Sequence, residues 1–191
     1  MSRIAVVTNI PAPYRVDLFN YIQTTVKEHE LHIIYTSKNE DNRPWSIPEN
    51  KLLNSHILSS RVIRLDGKTD KKYIHIPFNL RTVLYEIDPD IVIAMEYNLT
   101  ALQTLWWCKK NKKKFIHLTD GTLFSERNIG KLQKVTRKII TKNCDAALAS
   151  STKAKEKLLA WGIPEEKIFL SLLTLDISPF LNIDSKTSKT N

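Results

Sequence analysis

Glycine is scarce in this chain, with 4 residues in 191. That argues against a glycine-dense phosphate loop. Neither GxGxxG nor GxxxxGK[ST] occurs, so the dinucleotide fingerprint and the P-loop are both excluded. Cysteine is limited to Cys108 and Cys144, and neither has a CxxC neighbour. Zinc-ligand spacing is therefore absent, and both thiols read as reduced core residues. The five histidines, His29, His32, His56, His75 and His117, are scattered without an HxxxH pair, so no metal is expected. No apolar run approaches the ~20 residues of a membrane span. The early run Ile4 to Val7 is closely followed by Pro11 and Pro13, too soon for a secretory signal. A cytoplasmic location is expected.

What is present suits a packed domain. Hydrophobic residues make up 42% of the chain, which argues against general disorder. The length fits one large α/β domain with a sizeable core. Lys and Arg outnumber Asp and Glu 29 to 20, a net charge of +9. That balance favours an anionic partner: phosphates, nucleic acid or an anionic membrane surface.

Buried-strand patterns alternate with helical ones. Arg3 to Asn9 (RIAVVTN) is a β-branched run that reads as a strand buried on both faces. Pro11 and Pro13 break it. A helix follows, with Val16, Phe19, Ile22 and Val26 as its apolar stripe. Leu31 to Thr36 is a second strand. Residues Ser37 to Leu53 read as irregular, and one strand is expected between Asn54 and Leu65. Asp66 to Lys72 reads as a charged loop and Tyr73 to Ile76 as a short strand. Asn79 to Ile87 fits a helix ended by Asp88-Pro89-Asp90, because the residue before a proline avoids the helical region.

The second half continues the alternation. Ile91 to Met95 (IVIAM) is a strand, and Asn98 is placed to cap a helix reaching Lys110. Lys114 to Thr119 is a strand, Ile129 to Lys142 a helix, and Ala146 to Ala149 a short strand. Ser150 or Ser151 caps a helix to Trp161 that Gly162 can end, and Lys167 to Leu172 is the last strand. The pattern predicts a Rossmann-like, doubly wound, mainly parallel sheet of about six or seven strands with helices on both faces. Residues 1–181 form the domain and 182–191 a polar tail or cut linker.

Open parallel sheets bind ligands outside the carboxyl ends of their strands, and four such ends draw notice. After the first strand, Tyr14 and Arg15 open a helix whose N-terminus favours anions; Arg15 either binds a phosphate or lies solvated on the surface. After IVIAM, Glu96 and Tyr97 suit a sugar, the carboxylate accepting from hydroxyls and the ring stacking, or else form a plain capping loop. After the strand ending at Thr119, Asp120 suits a general base or orienting carboxylate. Gly121 beside it would let a ligand approach the backbone, or the pair is an ordinary turn. Ser150, Ser151 and Thr152 read chiefly as helix caps.

Basic residues form two groups. Lys109, Lys110, Lys112, Lys113 and Lys114 end one helix. Lys131, Lys134 and Lys138 share a face of another, opposite Leu132, Val135 and Ile139. Such helix ends are commonly solvated, yet together the groups suit anionic lipid headgroups at the inner face of a membrane. No nucleic-acid motif accompanies the charge, and nucleic acid is not expected as a partner.

Read in order, several segments resemble the N-terminal domain of GT-B glycosyltransferases of the retaining family 4 type. They are the first strand with IPAPYR (Ile4 to Phe19), DPDIVIAMEYN (Asp88 to Asn98), FIHLTDG (Phe115 to Gly121), NCDAALASS (Asn143 to Ser151), LLAWGIPEEKIF (Leu158 to Phe169) and TLDISPF (Thr174 to Phe180). The resemblance implies two Rossmann-like domains across a cleft, the missing C-terminal one holding most of the nucleotide-sugar donor. It implies transfer of a sugar to a glycan or lipid-linked acceptor, as in bacterial surface polysaccharide synthesis, without metal or cofactor. This half alone would be inactive.

In that resemblance Asp120 falls where relatives place a His or Asp near the transferred sugar. Arg15 falls near the donor phosphates, with Tyr14 beside it, and Glu96 and Tyr97 fall on the acceptor side. IPAPYR replaces the Gly-Gly pair of many relatives, which shifts weight from backbone phosphate binding to Arg15. The other readings are a stand-alone doubly wound binding or regulatory module, discriminated by whether a paired-glutamate half follows Asn191, and a GT-B-type nucleotide-sugar epimerase.

Overall fold

The computed structural model describes residues 1–43, 45–66, 71–174, 177 and 181. The centre of the charged loop expected at Asp66 to Lys72 (67–70) and the tail 182–191 lie outside the described residues. In chain order the elements are β1 (Ser2–Thr8), α1 (Pro13–Thr25), β2 (His29–Tyr35), β3 (Ser55–Ile57), β4 (Ser60–Asp66), β5 (Lys71–Pro77), α2 (Leu80–Ile87) and β6 (Ile91–Met95). They continue with α3 (Leu99–Lys110), β7 (Lys114–Thr119), α4 (Lys131–Asn143), β8 (Ala146–Ala149), α5 (Thr152–Ala160) and β9 (Ile168–Leu170).

Seven strands form one sheet in the order β3-β2-β1-β6-β7-β8-β9, and all its pairings are parallel. The chain is an α/β Rossmann-like domain. The expected strand from Asn54 to Leu65 divides at Leu58-Ser59. Leu58 is buried in the core, and the Asn79 Oδ1 accepts from Ser59 N at 2.9 Å. These contacts turn the chain out of the main sheet, and β4 pairs antiparallel with β5 instead.

Pleating assigns alternate residues to two cores. On one face, Ala5, Val7, Val92, Ala94, Phe115, Ala147 and Ala149 pack with α2, α3, α4 and α5. On the other, Val6, Ile33 and Tyr35 pack with Val16 and Phe19 of α1. Right-handed crossovers stepping in opposite directions from β1 must lie on opposite faces. One step leads left through α1, and the others lead right through α3, α4 and α5. The helices are therefore shared four to one. Beyond α1, an apolar cavity of about 260 Å³ opens against Ile93, Met95, Leu118 and Leu148, with Tyr14 and Arg15 also in its lining.

Local signals act where the residues place them. Pro13 sits at the start of α1, where its missing N–H costs nothing. Asn98 Oδ1 accepts from Ala101 N at 2.8 Å and caps α3. Ser151 Oγ accepts from Ala154 N at 3.1 Å and caps α5. Gly162, at φ +85°, lets the chain leave α5 through the left-handed region.

One helix reading is corrected. Lys131, Lys134 and Lys138 were read as lying opposite Leu132, Val135 and Ile139, but at helical spacing the two stripes adjoin, and α4 buries a third face with Arg137, Ile140 and Thr141. Leu132 is 80% exposed and Val135 53%. Arg137 pairs with the half-buried Glu126, and this sets the buried face on roughly the opposite side of the helix from Leu132 and Val135. Ile140→Ala is expected to cost about 2–5 kcal/mol in urea denaturation, and Leu132→Ala less than about 0.5 kcal/mol. The reverse ranking would put Leu132, not Ile140, in the core.

Candidate active site

The order of the sheet reverses between β1 and β6, each extending to a different side. Crevices of open sheets form at such a switch point. Here the two strand ends are tied together: Asn98 Nδ2 donates to Asn9 Oδ1 at 3.3 Å. Arg15, in the first turn of α1, is half-buried and donates from Nη1 to Thr8 Oγ1 at 3.1 Å. Its guanidinium also lies 5.6 Å from the centre of the Tyr14 ring. Arg15 is therefore fixed over the end of β1. It is also close enough to Tyr35 to oppose the burial that pushes that phenol up to about 12.

Glu96 follows β6 with φ +70°, a conformation non-glycine side chains seldom adopt and one that recurs at functional sites. Its carboxyl is half-buried. Burial raises its pKa, the neighbouring Asp120 raises it further, and Arg15 and Lys157 pull the other way. The shift favours the protonated form of Glu96, in which a carboxyl can donate to a sugar hydroxyl as well as accept from one. Asp120 is exposed at the end of the adjacent strand β7. The structure thus brings Arg15, Glu96 and Asp120 into one electrostatic neighbourhood.

Two expected residues are occupied by the protein itself. The Tyr97 ring lies 4.3 Å from the His117 ring. The Arg137 guanidinium is 4.6 Å and the Lys157 ammonium 4.8 Å from its centre. Its faces are covered by these neighbours, and burial holds its phenol well above the usual range. A Cβ on Gly121 would meet Glu126 Oε1 at 2.6 Å and Lys157 Nζ at 2.7 Å. The room that glycine makes here is filled by those side chains.

Behind the crevice lies an ionic cluster that sequence reasoning missed. Lys157 is fully buried and donates from Nζ to Thr119 Oγ1 at 2.9 Å and to Glu126 Oε1 at 3.3 Å. Arg137 grips the same carboxylate twice, Nε to Oε2 at 2.7 Å and Nη2 to Oε1 at 3.0 Å. Thr119 Oγ1 also accepts from Gly121 N at 3.2 Å. The turn carrying Asp120 is therefore pinned from beneath. The signal was in the helical spacing: Lys157 occupies the buried stripe of Ala154 and Leu158, and Arg137 that of Ile140 and Thr141. His117, inside β7, is fully buried; burial first, then Lys157, pushes its imidazole down to about 3, so it stays neutral.

The lysine run at the end of α3 lies at the opposite end of the sheet, before β7 begins. It is largely matched by acids: Lys113 with Asp88 at 2.8 Å, Lys114 with Asp145 at 3.5 Å, and Lys109 with Asp145 at 3.7 Å. Ser150 is buried. Among the described residues no cluster of three His, Cys, Asp or Glu has metal-binding geometry, and no helix is long and apolar enough to cross a membrane.

The family model for Glycosyltransferase Family 4 matches residues 18–170. The chain belongs to that family. The matched domain is of GT-B N-terminal type, and solved structures agree on the fold. HepE of Anabaena in complex with UDP-glucose is similar over 93% of this chain and 45% of its own, with a TM-score of 0.63 and 11% identity. UDP-GlcNAc 2-epimerase from Methanocaldococcus jannaschii is similar over 88% of this chain and 45% of its own, with a TM-score of 0.53 and 19% identity. The chain thus spans under half the length of these solved structures. No curated protein sequence matches it.

In this family 4 domain, Glu126 is the centre of charge balance. Burial alone would raise its pKa, but Arg137 and Lys157 hold it below the usual carboxylate range. A folded-state pKa below the unfolded one stabilises the fold above the unfolded value, and the gain is lost as pH falls through the folded one. Acid unfolding of wild type should therefore steepen below about pH 4–5, and Glu126→Gln should flatten that dependence. At neutral pH, Glu126→Ala should cost about 3–5 kcal/mol in denaturant titration, because two buried cations lose their partner. A loss below about 1 kcal/mol would mean that the cluster is solvated.

Proposed function

We propose that this domain is the acceptor-side half of a retaining glycosyltransferase. In this reading the whole enzyme moves a sugar from a nucleotide-sugar donor to a glycan or lipid-linked acceptor, in synthesis of bacterial surface polysaccharide. The observation that carries the reading is the meeting of Arg15, Glu96 and Asp120 at the switch point of a family 4 domain. A cytoplasmic enzyme in peripheral contact with the inner membrane face fits a lipid-linked acceptor. The similarity of HepE in complex with UDP-glucose supports a nucleotide-sugar donor. The epimerase reading draws on fold likeness alone, which hosts more than one chemistry.

Each group has a role that its position allows. Arg15, held by Thr8, supplies a fixed positive charge for the leaving diphosphate, and the N-terminus of α1 adds its dipole. Asp120 accepts from, and thereby orients, a reacting sugar hydroxyl. Glu96, with its raised pKa, donates to or accepts from a neighbouring hydroxyl. Tyr14 lines the floor beside Arg15. Tyr97 and Gly121 act indirectly, by seating the cations that pin the Asp120 turn.

The test is kinetic, on the protein that joins this domain to its nucleotide-binding half. Asp120→Asn should lower kcat by about 10²-fold or more while changing donor KM far less. Unchanged turnover would remove Asp120 from the reaction centre. Arg15→Ala should lower kcat/KM for the donor with the melting temperature preserved, and wild-type kinetics would return Arg15 to a solvated role. Residues 1–191 alone should transfer no sugar, and robust transfer by them would refute the half-site reading.

A further inference from the structure

The outer side of α4 carries two stripes that the fold does not use. Leu132 and Val135 stand 80% and 53% exposed, with Ile139, partly buried, continuing their line one turn on. Lys131, Lys138 and Lys142 run alongside them at helical spacing, with Lys134 further round, and all four are exposed. None of these lysines forms an ion pair among the described residues. The preceding turn adds Leu123 at 51% and Phe124 at 73% exposure. Arg127 lies over the Phe124 ring at 3.8 Å and donates to Phe124 O, which presents ring and charge together.

The unpaired charge of this surface has one sign: Glu156, which lies beside Leu123 and Phe124, is paired with Lys153 at 2.8 Å. Between Leu123 and Asn143 the only acid is Glu126, and it is spent on Arg137 and Lys157. A bulky apolar stripe flanked by uncompensated cations on one helix side is the composition of an interfacial element, with apolar groups entering the acyl boundary and lysines meeting headgroup phosphates. A protein partner could cover the apolar stripe, but it would also need a matching acidic row. An anionic bilayer supplies both at once.

We propose that the outer face of α4, with the Leu123–Phe124 turn, docks on an anionic lipid bilayer. The turn begins three residues after Asp120, so docking sets the crevice at the membrane surface, where a lipid-linked acceptor would present its sugar. This deepens the transferase reading above but does not need it, because the surface is tested without any sugar transfer. The lysines of the α3 end are not part of it. They lie at the far end of the sheet and are largely ion-paired.

The test is co-sedimentation of the 191-residue chain with vesicles of phosphatidylcholine alone or with phosphatidylglycerol added. Binding is expected to the anionic vesicles, to weaken at high salt and to be at least about tenfold lower without phosphatidylglycerol. Leu132→Asp/Val135→Asp and, separately, Lys131→Glu/Lys138→Glu should each lower binding about tenfold or more with the melting temperature kept. Lys110→Glu/Lys112→Glu at the other end should bind like wild type. Equal binding to both vesicle types, wild-type binding by the α4 variants, or an equal loss in the α3-end variant would overturn the proposal. So would self-association through α4, seen by analytical ultracentrifugation as a dimer that the Leu132→Asp/Val135→Asp variant abolishes, in a chain that ignores anionic vesicles.

Discussion

A buried ammonium needs acceptors within reach, and Lys157 finds them in Thr119 and Glu126. Much of the crevice depends on that condition. Lys157 belongs to α5, Thr119 ends β7, Glu126 sits in the loop after β7, and Arg137 belongs to α4. One carboxylate shared by two cations thus joins four separate pieces of chain. Its removal would leave unpaired charge in low dielectric, which costs far more than an exposed pair is worth. The loop that carries Asp120 therefore inherits its position from a network that no substrate needs to touch.

The network also determines what faces outward. With the Arg137 side of α4 turned to Glu126, the Leu132 and Val135 side must face away. Tyr97 is held between cations and His117, so its ring packs the cluster and leaves Glu96 as the group presented at the end of β6. The same event that stabilises the interior shapes the surface beside the crevice.

Much of this was legible in the residues. The runs Ile91 to Met95, Lys114 to Thr119 and Ala146 to Ala149 form strands with the bounds their composition suggests, because strands buried on both faces require continuous apolar sequence. The caps at Asn98 and Ser151 were legible because a cap is made within three residues. Arg15, Glu96 and Asp120 could be named because parallel sheets present their carboxyl ends to ligands. The division of the strand at Leu58-Ser59 was not legible, since it depends on Asn79, twenty residues away.

The sequence by itself determined the order of strands and helices, their caps and the candidate strand-end acids and base, since these follow from local spacing and backbone preference. Only the tertiary structure decided which face of α4 is buried, that Lys157 and Arg137 are interior, and that Gly121 makes room for side chains of its own chain. The physical reason is the same in each case. A charged residue is read as surface until its partner is known, and Glu126 lies 11 residues from Arg137 and 31 from Lys157, beyond the reach of any helical or strand period.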